Sequence, residues 1–434
     1  MYLPITRSVP DDAARYLTVD LSELLDLAKK YTWLFLQKVV AFAALLVAGP
    51  IIFAHLGAAN YSSVVLGLSL AGFITVFVQY SFNLTGPGLL VHAPSPTERS
   101  RVFWTVILAK AITATSVLLI LLLASSTIVR LPDRRILPAV PLIAFATLLN
   151  SSWYFQAMEQ FAVPSILAIM GSVFVILIVT MLSPLITVTA ALILLLLPQM
   201  VNGFGTFIYS VTLSSNPFHC DITESYKLLR EGLPVAASQW IAVIYSSVGP
   251  WVVLLFCGKA ACGLYGHIER LAFGLNGMLM LIYVAAYPRF VIYVRREPLK
   301  FIQLVISSIS IYLIAILFIS VMLTLFGDKF ITYYLKGYNS RTGVHLAWAS
   351  VAWMLSTMAG SPLTALLVNT GRERVLTRVN VYMMGGCFLF GIAGCHWLGG
   401  KGWLYGTALA QILLFPALVV YLFEYWRNRD VYTS

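Results

Sequence analysis

Charged side chains are scarce in this sequence. Asp, Glu, Lys and Arg make up 10% of its 434 residues, whereas hydrophobic residues make up 60%. Soluble globular domains carry about 25% charged residues, so this composition is that of a membrane protein. The long apolar runs show no alternation of period two, which excludes the strands of a membrane barrel. Because only helices and closed barrels satisfy the backbone in lipid, we expect an all-α integral membrane protein.

Motifs for catalysis or metal binding are also missing. The five cysteines are scattered, without a Cys-x-x-Cys pair or a histidine at metal-ligand spacing, so we expect free apolar thiols and no metal site. There is no glycine-rich phosphate loop, no His-Glu-x-x-His and no pair of carboxylates on a loop. We therefore expect a protein that is not an enzyme and needs no cofactor, with coupling to an ion or proton gradient left open.

The net charge of +11 has no basic block behind it and no soluble module to carry one. Nucleic acid is therefore excluded as a partner, and the surplus mostly reflects membrane topology. With the amino terminus inside, seventeen of the 28 Lys and Arg residues fall in inner segments, eight in outer segments and three within spans. The positive-inside rule then predicts that both termini are cytoplasmic.

Twelve apolar runs lie between polar breaks, and a helix needs about 20 residues to cross about 30 Å of hydrocarbon. A polar linker at 213–231 divides them into two six-helix bundles, 31–212 and 232–424, around a central cavity. Residues 1–30 and 425–434 are predicted to be a cytoplasmic segment and a cytoplasmic tail. The predicted helices are 31–55, 61–84, 102–125, 136–158, 161–183, 187–212, 232–256, 262–287, 301–326, 345–369, 377–398 and 402–424.

A short motif occurs near the start of each bundle. Gly-Pro at 49–50 is followed by Gly57, and Gly-Pro at 249–250 is followed by Gly258. The match is either an internal repeat or chance agreement between apolar segments. Secondary transporters place their substrate between two repeated bundles and rock these around it. A six-helix repeat would insert twice in the same orientation.

Four Lys, Arg or Glu side chains lie well inside predicted spans, away from the span ends, where each costs a few kcal/mol and therefore needs a use or a route to water. Lys38 either extends to the inner headgroups or lines a cavity, whereas Lys110 is too deep for an easy escape and favours a cavity. Glu269 and Arg270 point about 100° apart on a helix, so they cannot neutralise each other directly. Three cations against one anion suit an anionic substrate, although an ion pair of Glu269 or Arg270 with another helix stays open.

His55 and His267 are candidates for proton transfer near neutral pH, but both lie near predicted outer helix ends, where an interfacial position is commoner. Trp240, Tyr245 and Trp251 in the seventh predicted helix either stack on sugar rings or serve packing. Other tryptophans at span ends are interpreted as interface belts: Trp33, Trp348, Trp403 and Trp426.

Two stretches carry a family resemblance. Residues 150–159 contain an aromatic-Gln-x-x-Glu sequence that resembles the signature of Wzx-type bacterial polysaccharide flippases, in the multidrug/oligosaccharidyl-lipid/polysaccharide superfamily. Residues 361–373 are similar to the tenth helix of that family and the loop after it. The motif residues are Trp153, Tyr154, Phe155, Gln156 and Glu159 in the first stretch, and Asn369, Gly371 and Glu373 in the second.

The resemblance implies a flippase of the bacterial inner membrane that translocates an undecaprenyl-pyrophosphate-linked oligosaccharide. Its implied partners are this substrate, membrane lipid, and a polysaccharide polymerase and chain-length regulator. Lys38, Lys110 and Arg270 would hold the pyrophosphate. The acidic amino-terminal extension departs from the family, which also assigns no role to Glu269.

Two other functions remain open at this point. One is a drug or metabolite exporter of the same superfamily, which would be expected to bury carboxylates in its first bundle. The other is an integral membrane polymerase or glycosyltransferase, which usually needs catalytic residues on a large outer loop. This chain has Lys38 in its first predicted helix and no long outer loop.

Overall fold

A computed structural model describes residues 21–91, 93, 95–127, 133–213, 221–370 and 372–427. In these ranges all regular structure is helical, including two short 3-10 helices at Arg134–Ile136 and Ser183–Leu185, so the predicted all-α fold is confirmed. The α-helices are α1 (Leu21–Gln79), α2 (Phe82–Val91), α3 (Pro96–Thr127), α4 (Ala139–Leu149), α5 (Ser152–Ala157), α6 (Ala162–Leu182), α7 (Val188–Leu213), α8 (Ile222–Ser247), α9 (Gly249–Leu279), α10 (Leu281–Arg296), α11 (Pro298–Tyr334), α12 (Ser340–Thr357), α13 (Gly360–Asn369), α14 (Glu373–Leu398), α15 (Gly400–Ile412) and α16 (Leu414–Arg427).

The chain folds back on itself within α1. A Cβ on Gly49 would lie 3.0 Å from Cε1 of His267, and a Cβ on Gly266 would lie 2.9 Å from Cβ of Val65. Positions 49 and 65 therefore flank the same turn of α9, whereas a straight helix would separate them by about 24 Å. The reversal occurs at Gly57, the non-helical residue of α1 (φ 72°, ψ 160°).

A second reversal lies within α9, at Gly258 (φ 84°, ψ 175°). Sγ of Cys262 donates a hydrogen bond of 3.3 Å to the carbonyl of Pro250, although twelve residues of straight helix span about 18 Å. Both glycines occupy a region of backbone space that is essentially open to glycine alone. The two copies of the motif found in the sequence thus share the same backbone conformation at matching positions, which supports an internal repeat.

Among the described residues, ten helical segments are long and apolar enough to cross a membrane. Two of these, of 60 and 62 residues, contain the reversals at Gly57 and Gly258. The chain is therefore a multi-pass membrane protein. The predicted count of twelve spans stays a prediction, as does the division into bundles at 31–212 and 232–424.

Helix α8 begins inside the predicted linker 213–231. Asp221 caps it, because its Oδ1 accepts hydrogen bonds from the backbone N–H groups of Thr223 and Glu224, at 2.9 and 3.1 Å. The linker is thus helical from Ile222 onward, and its residues 214–220 lie outside the described ranges. The predicted amino-terminal segment is likewise helical from Leu21, within α1.

The two reversed helices pack closely on each other. A Cβ on Gly263 would lie 2.8 Å from the carbonyl carbon of Ala58 and 3.2 Å from the backbone nitrogen of Ser62. Glycine therefore lets the backbones of α1 and α9 approach in the way that small residues allow between membrane helices. This contact joins the first half of the chain to the second, next to both reversals.

Candidate functional site

A cavity of about 400 Å³ lies where α1 meets α8 and α9. Its lining includes Ser69 from α1, Ser247 from α8, and Glu269 and Arg270 from α9. The wall is fixed by a hydrogen bond of 2.9 Å from the indole Nε1 of Trp251 to Oγ of Ser69. We call this space the Arg270 cavity, and its walls come from both halves of the chain.

Arg270 is partly buried beside this cavity and makes no hydrogen bond to any described residue. Its Nε is fully shielded and has no partner among them. No carboxylate in the described ranges lies within salt-bridge distance of its guanidinium. A guanidinium whose donors have no partner among the described residues is suited to binding an anion such as phosphate, because its planar fork forms parallel hydrogen bonds.

Glu269 is buried, with 7% of its surface exposed, and its carboxylate accepts a hydrogen bond from the hydroxyl of Tyr265. It lines the Arg270 cavity and also a neighbouring cavity of about 170 Å³. The second cavity, here called the Gln411 cavity, is formed by α8, α9, α12 and α15. Glu269 therefore stands at the boundary between the Arg270 cavity and a second polar space.

The three predicted cations are not brought together. Lys110 is buried, and its Nζ donates a hydrogen bond of 2.7 Å to the backbone carbonyl of Asn150. It lines a separate cavity of about 140 Å³ in the first half, here called the Lys110 cavity, which shares no residue with the Arg270 cavity. Lys38 is exposed on α1 and lines none of these three spaces.

His267 lies one turn from Arg270 on α9 and contacts aromatic side chains of α1 and α11. Its ring stacks between Phe53 (4.5 Å, 10°) and Tyr334 (4.4 Å, 13°). Nδ1 lies 3.2 Å from the hydroxyl of Tyr61. We call these four side chains the aromatic seal, and all of them are buried.

The interfacial interpretation of His267 is therefore wrong, because α9 turns this face toward α1 and α11 rather than toward lipid headgroups. His55, on the same predicted side, is exposed. Trp403 is likewise not at the expected membrane interface, because only 2% of its surface is exposed. A Cβ on Gly249 would lie 2.6 Å from its Nε1. Both errors arise because position along a helix does not indicate which face is packed.

The first family motif is mainly a packing element. Trp153, Tyr154 and Phe155 are buried in α5, whereas Gln156 and Glu159 are exposed. Trp153 and Gln156 also line the Lys110 cavity. Glu159 takes a left-handed backbone conformation (φ 55°) where the chain turns toward α6.

In the second family motif, Nδ2 of Asn369 donates a hydrogen bond of 2.7 Å to the carbonyl of Ala365 near the end of α13. Glu373 begins α14, but its side chain and Gly371 lie outside what is described. Sequence reasoning missed the neighbouring ion pair between Nη1 of Arg372 and Oε2 of Glu424, at 2.7 Å.

Sequence reasoning also missed most of the Gln411 cavity. Its signal was present as polar residues inside predicted spans, since Thr407 and Gln411 both fall within 402–424. Of the three aromatic residues considered for sugar stacking, only Tyr245 lines this cavity. Trp240 stacks instead on Phe77, at 4.8 Å.

The family model described as "Polysaccharide biosynthesis protein" matches residues 27–294, more than half of the chain. Comparison with curated protein sequences gives no match.

Solved structures share the fold. An inward-facing multidrug resistance MATE family transporter of the MOP superfamily has a TM-score of 0.66 and 15% identity, covering 90% of this chain and 95% of its own. An outward-facing structure described in the same terms has a TM-score of 0.58 and 15% identity, with coverages of 94% and 97%. The lipid II flippase MurJ, in an inward closed conformation, has a TM-score of 0.66 and 12% identity, with coverages of 93% and 91%. The chain is thus a member of the polysaccharide biosynthesis protein family with the fold of MOP-superfamily transporters.

Proposed function

We propose that this protein is a flippase that moves an undecaprenyl-pyrophosphate-linked oligosaccharide, an O-antigen or exopolysaccharide repeat unit, across the bacterial inner membrane. The observation that carries the proposal is the Arg270 cavity, in which a guanidinium without described protein partners lies between the two halves of the chain. A pyrophosphate supplies the oxygens that such a group binds best. Membership of a polysaccharide biosynthesis family and the shared fold with a lipid II flippase support the same class of substrate.

The mechanism we propose is alternating access. The aromatic seal and the close contact at Gly263 join the halves at one end of the Arg270 cavity. In the predicted topology, with both termini cytoplasmic, this end faces outward, and we therefore interpret this conformation as closed on the outer side. Translocation then requires the halves to separate at the seal and to close on the cytoplasmic side. No covalent step is involved.

A second candidate function is export of a cationic drug or metabolite. Buried Glu269, which lines two cavities, is the observation that favours it, because a carboxylate stabilises a cation. Arg270, in the same cavity, opposes it by its positive charge.

Reconstituted vesicles would test the flippase. Undecaprenyl pyrophosphoryl N-acetylglucosamine is added to the vesicle lipids, and newly exposed sugar is captured by a membrane-impermeant lectin. We expect Arg270→Ala to lower the initial rate about tenfold or more, because a hydrogen-bonded charge contributes about 1.5–3 kcal/mol. Arg270→Lys should keep part of the rate, since it retains the charge without the fork.

Arg341→Ala is the matched control, because Arg341 is exposed at the start of α12 and lines neither of the cavities at Glu269. All rates are normalised to inserted protein. Wild-type rates equal to those of protein-free vesicles would refute the flippase. Normal transport by Arg270→Ala would refute the anion site.

A further inference from the structure

The Gln411 cavity combines aromatic walls with hydrogen-bonding groups. Trp353 and Trp403 contribute to the wall, and Phe273 packs edge-on against Trp353 with ring centroids 4.9 Å apart. Its volume of about 170 Å³ is below the roughly 300 Å³ at which pockets for drug-sized molecules begin. The space therefore suits a single small ring rather than a chain of rings.

Three polar groups in this cavity have unused hydrogen-bonding capacity. Oε1 of Gln411 accepts from Oγ of Ser356 at 3.0 Å, while its Nε2 donates to no described residue. One carboxylate oxygen of Glu269 accepts from Tyr265, and the other has no described partner. The hydroxyl of Tyr245 makes no hydrogen bond within the described ranges. A donor, an acceptor and a hydroxyl thus surround a space with apolar walls.

This combination matches the chemistry of a sugar. A pyranose ring presents apolar C–H faces, which pack on aromatic rings, and a rim of hydroxyls, which both donate and accept hydrogen bonds. A resident metal ion fits less well, because hard cations need six or more oxygen ligands. No group of three or more His, Cys, Asp or Glu side chains in the described ranges is arranged to hold one.

The position of the cavity indicates which sugar it would hold. Ser246, Glu269 and Phe273 line both this cavity and the Arg270 cavity, so the two spaces adjoin. In a lipid-linked oligosaccharide, the first sugar is bonded directly to the pyrophosphate through its anomeric carbon. A phosphate beside Arg270 therefore brings that sugar, and no later one, next to the Gln411 cavity.

We propose that the Gln411 cavity is a subsite for the first sugar of the pyrophosphate-linked substrate. The inference rests on the proposed flippase function and adds a specificity element to it. The second half of the chain would recognise this sugar through hydrogen bonds from Gln411, Glu269 and Tyr245. Arg270 would bind the pyrophosphate, which is common to every such lipid. Later sugars would remain outside the subsite, so their identity would matter less for recognition.

Equilibrium binding to the full chain in lipid nanodiscs tests the subsite. The probes are undecaprenyl pyrophosphate without a sugar and the same lipid bearing a single glucose, galactose or N-acetylglucosamine. We expect wild type to bind at least one sugar-bearing lipid more tightly than the sugar-free lipid. Gln411→Leu should weaken that binding between about 2-fold and 10-fold, as loss of one hydrogen bond does, and leave the sugar-free lipid unaffected.

Gln303→Leu is the matched control, because Gln303 is exposed on α11 and lines neither cavity. Tyr245→Phe removes only a hydroxyl and provides a second variant if Gln411→Leu fails to fold. It should shift the same ratio of affinities in the same direction.

The outcomes separate the two proposals. Equal affinity of wild type for lipids with and without a sugar would overturn the subsite and leave the pyrophosphate site standing. An equal loss of affinity for both lipids in Gln411→Leu and Tyr245→Phe would also overturn it. Absence of binding to every pyrophosphate lipid would refute the flippase function as well.

Discussion

Replacing Gly263 by alanine would place a methyl group between α1 and α9, where the two halves of the chain meet. The new Cβ would lie 2.8 Å from the carbonyl carbon of Ala58 and closer still to its oxygen, whereas ordinary contact begins at 3.4 Å. The backbones must therefore separate by at least about 0.6 Å, the difference between these distances. Both neighbours are backbone, so no rotamer change relieves the contact.

Overpacking of this kind costs about 1–3 kcal/mol. If the halves separate at the seal during transport, this cost destabilises the closed state alone. The population of the closed state relative to the open state then decreases between about 5-fold and 150-fold. The separation of α1 and α9 can be measured between spin labels attached to cysteines introduced at Ala59 and Ala260, which are both exposed. The native cysteines are replaced in this background so that only these two positions are labelled. We expect a second, longer distance to appear in Gly263→Ala.

Gly277→Ala is the control, because Gly277 lies in the same helix and nothing lies within 4 Å of its Cβ position. Both substitutions gain the same helix propensity, about 1 kcal/mol, so their difference isolates the contact. An unchanged distance distribution in Gly263→Ala, together with an unchanged thermal midpoint, would refute the reasoning.

Three further predictions follow from topology, protonation and packing. A reporter fused after Pro298 should be cytoplasmic and one after Tyr338 external, and the reverse result would overturn the predicted orientation. Arg135 holds the pKa of Asp133 well below its usual range near 4, so the carboxylate stabilises the fold above that range and the effect is lost as pH falls through the lowered pKa. The thermal midpoint of wild type should therefore drop toward that of Asp133→Asn in strong acid, and parallel pH profiles would contradict this. His267→Ala should lower the thermal midpoint more than His267→Phe, because loss of a buried ring costs about 3–5 kcal/mol and phenylalanine keeps the stack; equal midpoints would show that the ring does not bear on stability.

Apolar run length was enough to predict the membrane class and the breaks between the spans 31–55 and 61–84 and between the spans 232–256 and 262–287. Gly57 and Gly258 stand in matching sequence contexts, and both adopt a backbone conformation that other residues avoid. The helical segments follow from composition, because a membrane leaves the backbone few alternatives. These properties are local and can therefore be read from one stretch of sequence at a time.

The cavities could not be predicted in this way, because each is formed by residues far apart in the sequence. Lys110 and Arg270 looked equivalent as intramembrane cations, yet Lys110 bonds to a backbone carbonyl in the first half, whereas Arg270 makes no hydrogen bond to any described residue and lines a cavity between the halves. Gln411 and Glu269 lie in different helices, and only the packing of α9 against α15 shows that they line one space. Helix rotation and pairing decide such arrangements, and hydropathy does not encode them.

The ring stack of Phe53, His267 and Tyr334 also bears on the cell's energy supply. Rings with centroids 4.4 and 4.5 Å apart are in contact and leave no room for a file of water molecules between them. Protons cross proteins along such files, so we expect the stack to oppose proton passage at this contact between the two halves of the chain. Many copies of the protein could then be present without dissipating the proton gradient of the membrane. Vesicles that contain the protein should hold a pH gradient as long as protein-free vesicles do.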